Sequence, residues 1–491
     1  MWSLVVFYLL FPIFVYNQKW QWVSSVVKKR RKKNPYKSIS KERLEKCKDV
    51  EVIIIGGNIS GLVAGAALAK AGIRVMILEK SSKLGGSFRT EERSGYDFDI
   101  NRSSNNLKIS KTIIDWLCEE PIWWVKKEEP SLECKYKDKS FKIFNSQKQT
   151  KDNANQTFTD EEGQERFWAH VNKYSKTNKF IFEALKFYHM PQFIREILQN
   201  FFAPNYISYN QMTVEHVLHE CQFDKDCKFK KCLECLTDKK NSAAELLDFV
   251  NRCKGGSFYP KNGVNKVIHE LCQTIKTRGS YIFTNATVDS IDTSNCTVKI
   301  NNDLTSTAAK IISSTSLYET FHLVGFGKPK LTLKSSKIRA FIALKKNSEI
   351  ELKDKFLNMD STVYKIMYGT SKEKPCLIVE FDTEYTSLDV KIKETVTNTI
   401  LEVVDLKESL SLEWVHVELV SSKKMKNDIN KFIKPCKPTT YFGRLYLTGR
   451  DIVHTESLED AIKAGYITAN SITNYGTFID ILTGNELIKN V

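Results

Sequence analysis

Apolar positions in this chain fall into continuous runs and periodic ones, and the continuous runs set the frame. Val52 to Ile55 is an unbroken β-branched run, and Ile73 to Leu78 is a second apolar run that ends on Glu79. Between them, Leu62, Ala64, Ala66, Ala67 and Leu68 mix leucine with small residues. Runs of this length read as strands buried on both faces, and the small-residue stretch reads as a helix lying close on a sheet. The pattern predicts a βαβ unit over Val52 to Glu79. Further along, it predicts a helix from Val264 through Ile275 and strands at Tyr281 to Phe283, Ala309 to Thr315 and Leu445 to Leu447. A last helix, Ala461 to Ile472, contains Gly465, a position able to approach a flat ligand. Lys108 to Arg252 reads as aromatic-rich helices, and Gly327 to Lys437 as alternating strands with a helix near Val390 to Val404. The broadest helical stripe is Phe180 to Phe202, where Phe187, Tyr188, Phe193 and Phe201 lie about a break at Pro191. Such a stripe is ordinary core, the wall of a greasy tunnel, or a face that dips into a membrane.

The turn inside the βαβ unit carries chemistry. It reads Gly56-Gly57-Asn58-Ile59-Ser60-Gly61, against the G-x-G-x-x-G of a dinucleotide cradle, and Glu79 follows at the expected spacing of about 20 residues. Amides at the helix N-terminus favour a pyrophosphate, and a carboxylate at the end of the second strand accepts ribose hydroxyls. Asn58 stands where the second glycine lets the backbone approach the phosphates. Asparagine tolerates left-handed dihedrals, but its side chain fills space the cofactor takes. After Lys80, the pair Gly85-Gly86 before Ser87 again permits close backbone approach to a ligand, and Gly95 to Asp99 reads as a strand edge. The strand at Leu445 ends in Thr448-Gly449-Arg450-Asp451, a turn with a carboxylate.

Length and charge add the surroundings. With 491 residues the chain exceeds one domain of about 100–200 residues. A net charge of +16 suggests an anionic partner, yet the only dense basic block is Lys28 to Lys33 and other basic residues are scattered among acids, so nucleic acid is not expected. That block follows the uncharged run Trp2 to Tyr16 and the pair Trp20 and Trp22. The order predicts a membrane anchor over residues 1–27 and a basic linker over 28–50. The membrane expected is that of the endoplasmic reticulum, with the body facing the cytoplasm. Of twelve cysteines, Cys232 and Cys235 have zinc-like spacing but lack a second pair, so free thiols and no metal are expected.

Several separated motifs point to one family. GGNISGL with ILEK, KLGGSFRT, GYDFD, KGGSFYPKNGVNKVIHEL, TNATVDSI and RLYLTGRD together resemble the FAD-dependent all-trans-retinol 13,14-reductases, relatives of phytoene desaturases and carotenoid isomerases. The resemblance implies an α/β fold: a Rossmann-type FAD-binding domain over 51–110, 253–325 and 440–478, with an inserted α+β substrate (cap) domain over 111–252 and 326–439. It implies that Gly56, Gly57 and Gly61 face the pyrophosphate, Glu79 holds the adenosine ribose, and Gly85 and Gly86 pass the flavin side. Val288 presents its backbone to the adenine, and Asp451 holds the ribityl chain or pyrophosphate. Asn58, Lys80, Ser87 and Gly449 complete the cofactor set. The implied activity is saturation, desaturation or isomerisation of a retinoid or carotenoid-like polyene, with FAD as cofactor and NAD or NADP as reductant. Asn101 stands where the family has glycine, and no proline- and glycine-rich segment precedes the last strand in Ser421 to Tyr441. No catalytic acid or base is identified; His189, His216 and His219 are candidates by residue type alone. The competing readings are a catalytically impaired, membrane-anchored pseudoenzyme and an amine oxidase of the same superfamily.

Overall fold

The computed structural model describes residues 37–47, 49–100, 108–126, 128–185, 204–252, 258–325, 331–345, 354–359, 362–371, 374–406, 412–425, 444–449 and 458–473. Strand β1 (Lys37–Ser38) and helix α1 (Lys41–Glu45) lead into β2 (Val52–Ile55), α2 (Ile59–Lys70) and β3 (Val75–Leu78). Every residue of β2 and β3 is buried, which is why both strands are wholly apolar: a strand covered on both faces has no solvent side to make polar. The hairpin β4 (Thr90–Arg93) and β5 (Tyr96–Asp99), helix α3 (Lys108–Leu117) and strand β6 (Trp124–Lys126) follow. The chain then departs through β7 (Leu132–Tyr136), β8 (Lys139–Ile143), α4 (Gln147–Thr157), α5 (Glu161–Leu185), α6 (Pro204–Gln211), α7 (Val214–Glu220), α8 (Lys228–Glu234) and α9 (Ala243–Arg252).

It returns by β9 (Phe258–Pro260), which pairs with β6, then α10 (Val264–Thr277) and β10 (Tyr281–Thr284). An antiparallel trio follows, β11 (Val288–Asp292), β12 (Thr297–Ile300) and β13 (Leu304–Thr307), then β14 (Lys310–Ser313) and α11 (Leu317–Leu323). A second departure supplies β15 (Leu331–Leu344), β16 (Lys355–Met359), β17 (Thr362–Ser371), β18 (Lys374–Thr383), α12 (Val390–Val403) and β19 (Leu412–Met425). Finally β20 (Leu445–Leu447) and α13 (Leu458–Thr473) return to the first sheet.

That first sheet is parallel throughout, in the order β1-β10-β3-β2-β14-β20. One face is covered by α2, α10 and α13 in a single apolar core. The small residues of α2 have a specific use: a Cβ at Gly465 in α13 would collide with the Ser60 carbonyl and lie 2.9 Å from Val63 Cβ. Gly465 therefore serves contact between two helix backbones, where the sequence suggested a flat ligand.

The second sheet runs β19-β15-β18-β17-β16-β7-β8. It joins strands from both departures, because β7 pairs parallel with β16. Lys108 to Arg252 is thus not helical throughout. Each strand of the β7–β8 hairpin is five residues long and alternates, with Leu132, Cys134, Phe141 and Ile143 buried, too short for the alternation to stand out among flanking helices. The side of this sheet that carries Ile338, Ala340, Ile342 and Val379 packs on α12. Phe341, Met367 and Ile378 instead meet Tyr96 and Phe98 of the β4–β5 hairpin, which seats the hairpin on the second sheet.

Candidate functional site

The C-terminal ends of the parallel strands gather the glycine turn and its partners. Gly56 adopts φ +97°, a left-handed conformation that glycine takes without strain, and its amide donates to the Leu78 carbonyl at 2.8 Å. The Gly57 amide donates to Glu79 Oε2 at 2.6 Å, while Glu79 Oε1 accepts from the Ser81 amide at 2.8 Å and the Ser81 hydroxyl at 2.7 Å. A Cβ at Gly57 would clash with Leu84, and one at Gly61 would clash with the Gly56 carbonyl. The two glycines are therefore demanded by the turn's own packing as well as by any ligand.

Asn58 is not left-handed; its φ of −74° and ψ of 174° are extended backbone, and it caps α2. Its Oδ1 accepts from the Gly61 amide at 3.0 Å, from Ser60 Oγ at 3.0 Å and from Ser314 Oγ, while its Nδ2 donates to the Ser314 carbonyl. Ser314 lies just past β14 and is held there by its amide, which donates to the Ile55 carbonyl at 2.8 Å. The helix offers no acceptor to the amides of Ile59 and Ser60 at its start.

The second glycine pair folds over this turn. The Gly85 amide donates to the Gly57 carbonyl at 2.8 Å, and Gly86, at φ +59°, lies so near that a Cβ on it would stand 2.7 Å from Asn58 Cβ. Ser87 is exposed on the rim. Lys80 is exposed too, its ammonium 2.9 Å from Glu319 Oε1 on α11. Val288 opens β11 and is buried with the trio's core, reached from Glu79 through the Ala286 amide, which donates to the Glu79 carbonyl at 2.9 Å. Gly449, at φ +95°, lies two residues past β20 and against α2, since a Cβ there would be 3.0 Å from Ser60 Oγ. Beside it the Thr448 hydroxyl is buried and has no hydrogen-bond partner among the described residues.

One sheet edge thus collects Gly56, Gly57, Asn58, Gly61, Glu79, Gly85, Gly86 and Gly449. Asp451, Asn101 and His189 lie outside the described residues, as do Phe187, Tyr188, Phe193, Phe201, the expected anchor and the basic block. His216 and His219 are on α7; His216 Nε2 lies 3.2 Å from Glu220. Sequence reasoning missed Ser314 and Thr448. The signal for Ser314 was a Ser-Ser-Thr stretch closing a buried strand, where side-chain donors gather at the ligand edge of an α/β sheet. Glycines with no room for side chains, helix-start amides, an acceptor at the end of β3 and an orphan buried hydroxyl fit the adenosine-pyrophosphate part of FAD, with Asn58 standing among them.

Against the β4–β5 hairpin, the second sheet presents an apolar row and then a charged one. Phe98 meets Phe341 edge-on at 5.1 Å and Trp414 at 5.6 Å. Beyond it Arg93 lies over the Phe341 ring at 4.2 Å and bonds Glu91 at 2.9 Å and Glu418 at 2.6 Å, and Arg339 bonds Glu380 at 2.5 Å. Burial opposes ionisation of Glu91, but hydrogen bonds from Arg89 and Arg93 outweigh it and hold the carboxyl below its usual range. Loss of solvent lowers the pKa of His416 and of Lys365 on the same sheet. In the helical layer, the described cysteines of the 221–235 group are buried free thiols, and no group of three or more His, Cys, Asp or Glu among the described residues could hold a metal.

Residues 59–341 match the family described as flavin containing amine oxidoreductase. Among curated proteins, the chain is similar to the all-trans-retinol 13,14-reductases of Macaca fascicularis (26% identical, over 54% of this chain and 45% of that protein) and Homo sapiens (25% identical, over 66% and 58%). It spans about half the length of these relatives. Among solved structures, a triple mutant of putrescine oxidase superposes with a TM-score of 0.58 at 14% identity, over 86% of this chain and 98% of that one. At that identity the likeness is one of fold.

Proposed function

The chain belongs to the flavin containing amine oxidoreductase family, and from that premise we propose that it is an FAD-dependent oxidoreductase acting on a carbon–carbon double bond of an apolar conjugated polyene, in the manner of a retinol 13,14-reductase. The observation that carries the reading is the gathering of the Gly56–Gly61 turn, Glu79, the Gly85-Gly86 pair and Gly449 at one edge of the parallel sheet. FAD, when bound, supplies the hydride chemistry. This chain's part is to place the pyrophosphate at the start of α2, to offer a ribose hydroxyl the remaining lone pair of Glu79 Oε2, and to exclude water.

Similarity to two retinol 13,14-reductases supports the polyene. A nicotinamide nucleotide as reductant, and attachment to the endoplasmic reticulum membrane through residues 1–27 with the basic block beside it, complete the proposal. Among the described residues no helix is long and apolar enough to cross a membrane, and the proposed anchor lies outside them.

A second reading, a flavin-poor binding protein, is favoured by the way Asn58 occupies donors of its own turn. The purified full-length chain decides between them. Visible flavin absorbance, with loss of polyene absorbance when all-trans-retinol and a reductant are added, is the expected result. Folded protein that takes up no flavin from excess FAD overturns the enzyme reading. Oxidation of a primary amine with peroxide release, and no effect on retinol, replaces the polyene by an amine.

A further inference from the structure

Asn58 makes more hydrogen bonds than a helix cap needs. Its Oδ1 alone collects three donors: the Gly61 amide, the Ser60 hydroxyl and the Ser314 hydroxyl. An amide at a helix start together with two hydroxyls is the donor set that holds a phosphate oxygen. Its Nδ2 meanwhile ties the turn to the Ser314 carbonyl, 256 positions away in sequence. Gly86 packs against the foot of this side chain, where a Cβ on the glycine would stand 2.7 Å from Asn58 Cβ.

We propose that the Asn58 carboxamide is an internal competitor for the cofactor's pyrophosphate, a latch that joins α2 to the end of β14 and makes the dinucleotide a loosely held, exchangeable ligand. The inference rests on the FAD reading, and it adds a direction that reading lacks. A glycine at this position frees three donors for the phosphates and opens the backbone to them. The same change removes the tie between β14 and α2. Cofactor affinity and cofactor-free stability therefore move in opposite directions, whereas a merely structural asparagine would move neither upward.

The experiment titrates the full-length, cofactor-stripped protein with FAD, ADP and inorganic pyrophosphate by calorimetry, and records its melting temperature without ligand. Asn58→Gly and Asn58→Ala are compared with the wild type; alanine adopts the extended backbone of Asn58 and guards against an effect of glycine flexibility. Both variants are expected to bind FAD and ADP at least about tenfold tighter, the equivalent of one charge-assisted hydrogen bond. Their ligand-free melting temperature is expected to fall by about 1–2 °C, as for the loss of a helix cap in a chain of this size. Adding Ser314→Ala to Asn58→Gly should reverse part of the gain, because it removes one of the freed donors. Folded variants that bind FAD no tighter than a wild type that does bind it overturn the latch and leave the flavin reading intact. If no protein binds FAD but Asn58→Gly gains affinity for pyrophosphate, the latch stands and the flavin reading falls. If none binds either ligand, both fall.

Discussion

Glu79 satisfies three donors of its own chain, the amides of Gly57 and Ser81 and the Ser81 hydroxyl, which leaves one lone-pair site, on Oε2, to spare. Glu79→Gln keeps the shape but turns an NH₂ toward groups that are themselves donors. The expected cost is about 1.5–3 kcal/mol in urea unfolding of the ligand-free protein, together with lower flavin occupancy. Unchanged values for both would remove Glu79 from the site. A second residue-scale outcome concerns acid. Burial first, opposed by Glu220, lowers the pKa of His170 below its ordinary 6.5. The neutral ring is therefore preferred in the folded state, and the unfolded chain takes up the proton first as pH falls. Stability is fully present above 6.5 and is lost as pH drops toward the folded value; His416 acts with the same sign. Replacing His170 by Asn should flatten the pH dependence of unfolding between neutral and mildly acidic buffers, and an unaltered slope would assign the acid sensitivity elsewhere.

Two glycines in touching elements separate backbone contact from side-chain contact. In α13 a Cβ at Gly465 would run into the main-chain carbonyl of Ser60, whereas a Cβ at Gly65 in α2 would meet Ile77 Cδ1 at 2.9 Å and the ends of Ile275 and Ile54 at 3.3 Å. Side-chain tips can turn aside; a helix backbone must move as a body. Gly465→Ala is expected to lose about 1–3 kcal/mol by overpacking. Gly65→Ala should be close to neutral, because the helix gains from alanine what the isoleucines lose. Chemical denaturation of the pair tests the contrast, and equal losses would mean that α2 and α13 do not meet at backbone distance. At this scale the sequence was most legible: β2, β3, β10, β20, α10 and α12 all fall where continuous or helical periodicity put them. The β7–β8 hairpin did not, because five-residue strands carry too few periods to register.

The β4–β5 hairpin is seated on the second sheet, and Phe98, 1% exposed, is the centre of that contact. Phe98→Ala should cost about 3–5 kcal/mol and make the hairpin cleavable in limited proteolysis. Resistance equal to wild type would show that the charged row of Arg93, Glu418 and Arg339 suffices to hold the hairpin on the second sheet. For the membrane proposal, removal of residues 1–27 is expected to move the protein to the soluble fraction. Retention after a high-salt wash would point to an apolar face elsewhere.

The sequence by itself determined the βαβ unit, the glycine turn with Glu79 at its spacing and the family resemblance, because each is written in neighbouring residues whose periodicity and small size act locally. Tertiary structure decided what those residues do with their hydrogen bonds. It gave Asn58 a partner in Ser314, Lys80 a partner in Glu319, and Gly465 a helix instead of a ligand. It also built one sheet from strands as far apart as Lys139–Ile143 and Leu412–Met425. A donor needs an acceptor, and an apolar strand needs a cover. Local pattern states those needs, and only the folded chain chooses which distant group meets them.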